Sequence, residues 1–187
     1  MRTLADEQRI VILGEPGQGK TTLLRRYAAS LASDQTRERL PLLVELGRER
    51  TRTADSMRDF GWLYERLPDA LRDVLGEAGW RDCCAVLRAG GFTVLLDGLD
   101  ELGAYAQQQV RELVGTLKAN QVVVTSRPHA YRLAPLGDFK VYSLVDLEPE
   151  EIEQLATRVS QALADQYRSE SAEALERVMI VTLLQAA

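Results

Sequence analysis

The sequence predicts an α/β fold: a three-layer sandwich on a mostly parallel five-stranded sheet, followed by the start of a small helical subdomain. Three observations lead there. Short apolar runs alternate with amphipathic helical patterns over residues 9–144, the signature of a parallel sheet covered on both faces. Two of those runs stop abruptly at residues that carry chemistry, Gly14 and Asp97. Residues 146–187 then hold helical patterns and no strand pattern. The predicted division is therefore residues 1–145 and residues 146–187.

Taken in order, Arg9–Leu13 is an apolar run that reads as a buried strand, and Lys20–Ala32 follows as a helix with Leu23, Leu24, Tyr27, Ala28 and Leu31 on one face. Leu40–Leu46 is the second strand and Gly47–Ser56 a polar loop. Asp59–Leu75 and Gly79–Ala89 are helical in pattern, with Pro68 interrupting the first. Gly90-Gly91 breaks the chain before the third strand, Phe92–Leu96. Tyr105–Lys118 is an amphipathic helix, Gln121–Ser126 a strand of mostly β-branched residues, and Lys140–Leu144 the fifth strand. Pro149–Leu163 is a helix with proline in its first turn and Glu150 and Glu151 behind it, where acids suit the positive end of the helix dipole. Ser171–Ala187 is helical too. It ends on the apolar run Met179–Ala187 with neither cap nor polar tail, as expected of a piece cut from something longer.

Composition narrows the function. Of the 187 residues, 45% are apolar and 27% charged, ordinary values for a globular protein with a core. The net charge of -5 gives no support for nucleic-acid binding by the chain as a whole. Arg25, Arg26, Arg37, Arg39, Arg48, Arg50, Arg52 and Arg58 fall in one stretch, but interleaved acids make it a solvated face. No apolar run approaches the roughly 18 residues of a membrane span. Cys83 and Cys84 are adjacent, a geometry that disfavours a bond between them. They read as reduced thiols on a helix of a cytoplasmic protein. Trp62 and Trp80 fall in helical patterns, as core or interface residues.

The strongest local signal is Gly14-Glu15-Pro16-Gly17-Gln18-Gly19-Lys20-Thr21-Thr22, a complete G-x-x-x-x-G-K-[ST] between a strand and a helix. A triphosphate is a dense polyanion and needs many donors in a small space. Backbone N–H groups supply them if no side chain obstructs the approach, which is what glycines at 14, 17 and 19 allow. The helix that begins near Lys20 points its positive end at the phosphates. Lys20 adds a full charge toward the β- and γ-phosphates, and the Thr21 hydroxyl is a ligand for Mg²⁺. Guanine-reading Asn/Thr-Lys-x-Asp is missing from the sequence, which favours ATP.

Thr93-Val94-Leu95-Leu96-Asp97 is an apolar strand ending in a carboxylate, so Asp97 sits at a strand tip, where ligands bind in open parallel sheets. An acid there holds Mg²⁺ directly or through water. A second carboxylate just beyond polarises or orients the attacking water; Glu101 is the first choice and Asp100 the second. An ordinary acidic turn opening the next helix is the alternative. Val122–Ser126 leads to Arg127 and Pro128, and a strand tip beside the γ-phosphate would let Arg127 read that phosphate; from chemistry alone a surface arginine at a strand end is the reading favoured. Thr125 and Ser126 are supporting polar groups. His129, the only histidine, reads as a solvent-exposed loop residue.

Gly14–Thr22, Leu95-Leu96-Asp97-Gly98-Leu99-Asp100-Glu101-Leu102 and Val124-Thr125-Ser126-Arg127-Pro128 together resemble the NACHT family, signal-transduction ATPases of the STAND class. The small Gly98 after the metal acid, followed by Asp100-Glu101, is the most specific feature, and the Thr-Ser-Arg-Pro tip agrees with it. Leu40–Leu46 is similar to the family's second strand, and Leu144–Leu155 to its passage into the first helical subdomain. The resemblance, over roughly residues 8–185, implies a P-loop NTPase, here a bacterial member or a fragment of one. It implies that Lys20 and Thr21 bind phosphate and Mg²⁺, that Asp97 serves the metal, that Asp100 and Glu101 serve hydrolysis, and that Arg127 is the sensor arginine. It also implies a switch in signalling or defence, closed and monomeric with ADP, open and able to self-associate with ATP. The family's winged-helix domain, whose histidine contacts nucleotide in many relatives, has no counterpart in this sequence, and His129 is in the wrong place to substitute. Faster exchange and weaker switching are therefore expected. Three other functions stay open: a nucleotide-holding assembly module with negligible turnover, a mechanical ATPase of the AAA+ or DNA-transaction kind, and a small-molecule kinase.

Overall fold

Alternating side chains on three buried strands divide the core into two halves. Val11, Leu13, Val94, Leu96, Val122 and Val124 point into one apolar cluster; Ile10, Ile12, Leu95 and Val123 point into the other. In this computed structural model, which describes residues 4, 7–34, 36, 38–47, 60–133 and 135–169, the strands are β1 (Arg9–Leu13), β2 (Leu40–Glu45), β3 (Phe92–Asp97), β4 (Gln121–Ser126) and β5 (Lys140–Ser143). They form one sheet in the order β2-β3-β4-β1-β5, and every pair runs parallel. The sheet expected from the sequence is therefore present, with β4 interposed between β1 and β3.

Helix α1 (Lys20–Ser33) covers one face with Leu24, Tyr27 and Leu31. The other face is covered by α2 (Gly61–Tyr64), α3 (Asp69–Ala89) and α4 (Ala104–Thr116), which contribute Trp62, Leu63, Trp80, Cys84, Leu87, Val110 and Val114. Both tryptophans are buried; the Arg66 guanidinium lies 3.7 Å over the Trp62 ring, and Tyr64 packs 5.2 Å from Trp80. Cys83 and Cys84 lie on α3 and form no disulfide.

Two local expectations give way. The helices predicted at Asp59–Leu75 and Gly79–Ala89 are, among described residues, the short α2 and the longer α3. Chain direction changes at Gly76 (φ 58°, ψ −175°), a backbone state open to glycine and strained for other residues, while Gly79 stays helical. A further helix, α5 (Pro128–Leu133), was not expected; proline at its first position lacks an N–H that would have no helical partner anyway. The other limits move by a residue or two, except that α6 (Pro149–Ser169) extends past Leu163. Positions 48–56, Ser171–Ala187 and the arginines at 37, 48, 50, 52 and 58 lie outside the described residues.

The chain divides into two units, Met1–Val145 and Asp146–Ala187. In the second, α6 carries Glu150 and Glu151 in its first turn, and the Glu148 N–H donates to Glu151 Oε2 at 2.9 Å, satisfying a donor at the helix start. No helix among the described residues is long and apolar enough to cross a membrane.

Candidate nucleotide-binding site

The loop between β1 and α1 leaves the sheet at Gly14, whose N–H donates to the Ser126 carbonyl of β4 at 3.2 Å. It then closes on itself: the Gln18 N–H reaches the Glu15 carbonyl at 3.2 Å, and Gln18 Oε1 accepts from the Glu15 N–H at 2.7 Å. Gly17 (φ 86°) and Gly19 (φ 84°) are left-handed. A Cβ at either would meet nothing within 4 Å, so glycine is required there by backbone conformation rather than by space. Glu15, Pro16, Gly17 and Gly19 are exposed, leaving the rim open to solvent. Lys20 Nζ bends over the loop and donates to the carbonyls of Gly14 (2.6 Å) and Glu15 (3.0 Å). Thr21 is half-buried and Thr22 exposed in the first turn of α1.

Asp97 ends β3 with 8% exposure. Its Oδ1 accepts the Thr125 hydroxyl at 2.5 Å, and Thr125 Oγ1 accepts the Gly98 N–H at 2.8 Å. Asp97 Oδ2 has no hydrogen-bond partner among the described residues. Adjacent residues of β4 thus hold the two sides of the site: Ser126 through its carbonyl the start of the loop, Thr125 through its hydroxyl the strand-tip acid. With one strand interposed, β1 and β3 stand roughly 10 Å apart, two strand spacings.

Beyond Asp97, Gly98 (φ 84°) turns the chain into a 3₁₀ turn, Leu99–Glu101. Both oxygens of Asp100 are engaged with Arg127: Oδ1 accepts its backbone N–H at 3.0 Å and Oδ2 its Nε–H at 2.8 Å. The Asp100 carboxylate is nearly enclosed, with 7% side-chain exposure, while the Arg127 side chain remains 52% exposed. Much of Glu101 is exposed as well, but its carboxylate packs against Gly47 and Gly98. That partial burial pushes its pKa up, and the Asp100, Asp97 and Glu45 carboxylates push the same way, against the opposing charge of Arg127. His129 is exposed on α5.

The structure adds residues the sequence reading passed over. Glu45, last in β2, stands in register with Asp97 and pairs with Arg25 of α1 at 2.7 Å. Leu46 N–H donates to the Asp97 carbonyl at 2.9 Å, which brings Gly47 beside Glu101. The only sequence signal for Glu45 was an acid closing an otherwise apolar run. Thr125, read as a supporting group, proves to be the link between Asp97 and Gly98.

The donor set suits Mg²⁺. Thr21 and Asp97 offer two hard oxygens, and among the described residues no cluster of three His, Cys, Asp or Glu side chains could hold a metal unaided. Mg²⁺ takes few protein ligands and completes its shell from phosphates and water.

A family model described as NACHT domain matches residues 8–182. The chain is also 26% identical over 163 residues to the Replication factor C large subunit of Pyrobaculum arsenaticum, and equally to that of Pyrobaculum aerophilum. Each match covers 84% of this chain and 33% of the relative, so the chain spans about a third of the length of the curated relatives it matches.

Proposed function

Because this chain belongs to the NACHT domain family and is thereby a nucleotide-binding P-loop NTPase, we propose that it is a regulatory switch, binding ATP or ADP with Mg²⁺ and hydrolysing ATP slowly to reset itself. One observation carries the reading: Thr125 and Ser126, neighbours on β4, tie the strand-tip acid and the glycine loop to one another. The backbone N–H groups of Gly17, Gly19 and the first turn of α1 would face the phosphates; Pro16 has none, and those of Gly14, Glu15 and Gln18 are already engaged within the fold. Lys20 would exchange its two loop carbonyls for phosphate oxygens, and Thr21 and Asp97 would hold Mg²⁺, which neutralises phosphate charge when bound.

In hydrolysis, a water oxygen bonds to the γ-phosphorus while the bond from that phosphorus to the β,γ-bridging oxygen breaks. The electron pair leaves with ADP, and one water proton passes to phosphate. Glu101 orients that water or takes its proton in transit; its raised pKa suits a proton acceptor. Asp100, with both oxygens on Arg127, aims the arginine toward the γ-phosphate rather than holding water. We assign the switch a closed ADP state and an open ATP state able to self-associate, and the reducing cytoplasm as its compartment, in keeping with the thiols of Cys83 and Cys84.

The test is ATP turnover by wild type and Glu101→Gln, with light scattering in ADP and in a non-hydrolysable ATP analogue. Slow turnover lost in the variant, and a mass that grows only with the analogue, are expected. Equal rates would remove Glu101 from its role; a nucleotide-independent mass would favour a holding module instead of a switch. The likeness to Replication factor C large subunits supports a second reading, a mechanical ATPase acting on DNA, although the charge of -5 opposes it. Stimulation of turnover by DNA would favour that alternative.

A further inference from the structure

Among the described glycines, Gly47 is the one where an added Cβ would collide hardest with a functional group. A Cβ built on it would lie 1.7 Å from Glu101 Oε2, 2.9 Å from its Cδ and 3.2 Å from its Cβ, and these are its three nearest atoms. Its backbone is not left-handed, so conformation alone would admit alanine. The requirement for glycine is thus steric and comes from one side chain 54 positions along the chain. Gly98 forms the opposite wall of the same notch, where a Cβ would come within 3.0 Å of Glu101 Cδ.

The position of Gly47 is itself held. Leu46 N–H bonds the Asp97 carbonyl, Glu45 is in register with Asp97, and Glu45 is paired with Arg25 on the helix that follows the glycine loop. We propose that Gly47 is a positioning residue for hydrolysis: it vacates the notch that seats the Glu101 carboxylate beside Asp97. This rests on the reading of Glu101 given above. Because the displaced group is the far end of a flexible side chain, filling the notch moves the carboxylate without unfolding the protein.

The experiment compares wild type, Gly47→Ala, Glu101→Gln and the double variant. Gly47→Ala should lower kcat about 10- to 100-fold, as small misplacements of a reacting group do, with KM for ATP and melting temperature near wild type. In the Glu101→Gln background the same change should cost nothing further. Undiminished turnover in Gly47→Ala while Glu101→Gln is impaired would overturn the inference, as would an equal loss in both backgrounds. A crystal structure of Gly47→Ala separates this inference from the reading beneath it. The expected structure has the Glu101 carboxylate out of the notch with residues 45–47 unmoved; a carboxylate still in place would overturn the positioning. A displaced carboxylate with full activity in both single variants would instead overturn the assignment of Glu101 to hydrolysis.

Discussion

Replacing Thr125 by valine keeps shape and volume and deletes one oxygen, which makes it a clean probe of how the two sides of the site are joined. Two hydrogen bonds disappear. The N–H of buried Gly98 loses its acceptor, and an unsatisfied buried donor costs about 1–3 kcal/mol. Asp97 loses a donor to its carboxylate, a bond to a charged group worth about 1.5–3 kcal/mol. Asp97 retains some exposure and recovers part of this through water, so the sum is about 2–4 kcal/mol. Serine keeps the hydroxyl and loses a single methyl, for about 1 kcal/mol. The assay is urea unfolding without nucleotide. With a slope of about 2 kcal/mol per molar urea, valine should move the midpoint down by roughly 1–2 M, and serine by about half a molar. A valine variant as stable as wild type, or more stable than serine, would refute the claim that this hydroxyl links β3 to β4.

Lys20→Ala should weaken ATP and ADP binding at least about 100-fold, the effect of roughly 3 kcal/mol from a lost charged contact, while circular dichroism stays native; calorimetric titration checks it, and retained micromolar affinity would contradict the role of Lys20. Asp100→Asn removes the charge that holds Arg127, so turnover should fall several-fold with little change in ADP affinity; identical kinetics would disconnect the pair from catalysis. Glu101 makes a pH prediction. Its pKa is raised in the fold, so the native state binds its proton more readily than the unfolded chain does. That contribution to stability is full below the ordinary carboxylate value of 4.5 and is lost as pH rises through the raised native value. Glu101→Gln should therefore stabilise the nucleotide-free protein at neutral pH and give no gain at pH 4, measured by melting temperature across that range; a pH-independent difference would argue against the burial and crowding of this carboxylate.

The glycine loop and Asp97 were legible in the sequence because their chemistry demands residue types at fixed local spacing, and the apolar runs beside them place them at strand ends. The strand order was not legible: nothing local says that β4 lies between β1 and β3. Glu45 and Gly47 escaped for the same reason. They join the site through the parallel register of β2 on β3, and that pairing leaves no trace within a short window. The break between the helical patterns ending at Leu75 and starting at Gly79 was legible, and it falls at Gly76. Six residues in α5 are too few to display a helical period.

The interposed strand has a mechanical consequence. Neither side of the site touches the other directly through backbone pairing; both take their bearings from consecutive residues of β4. Side chains alternate along a strand, so deleting one residue within Val122–Val124 would turn the Thr125 hydroxyl away from Asp97 and present a different carbonyl to Gly14. Such a deletion would leave every glycine, lysine and carboxylate of the motifs intact in the sequence and still misalign the site, which makes β4 the molecule's ruler.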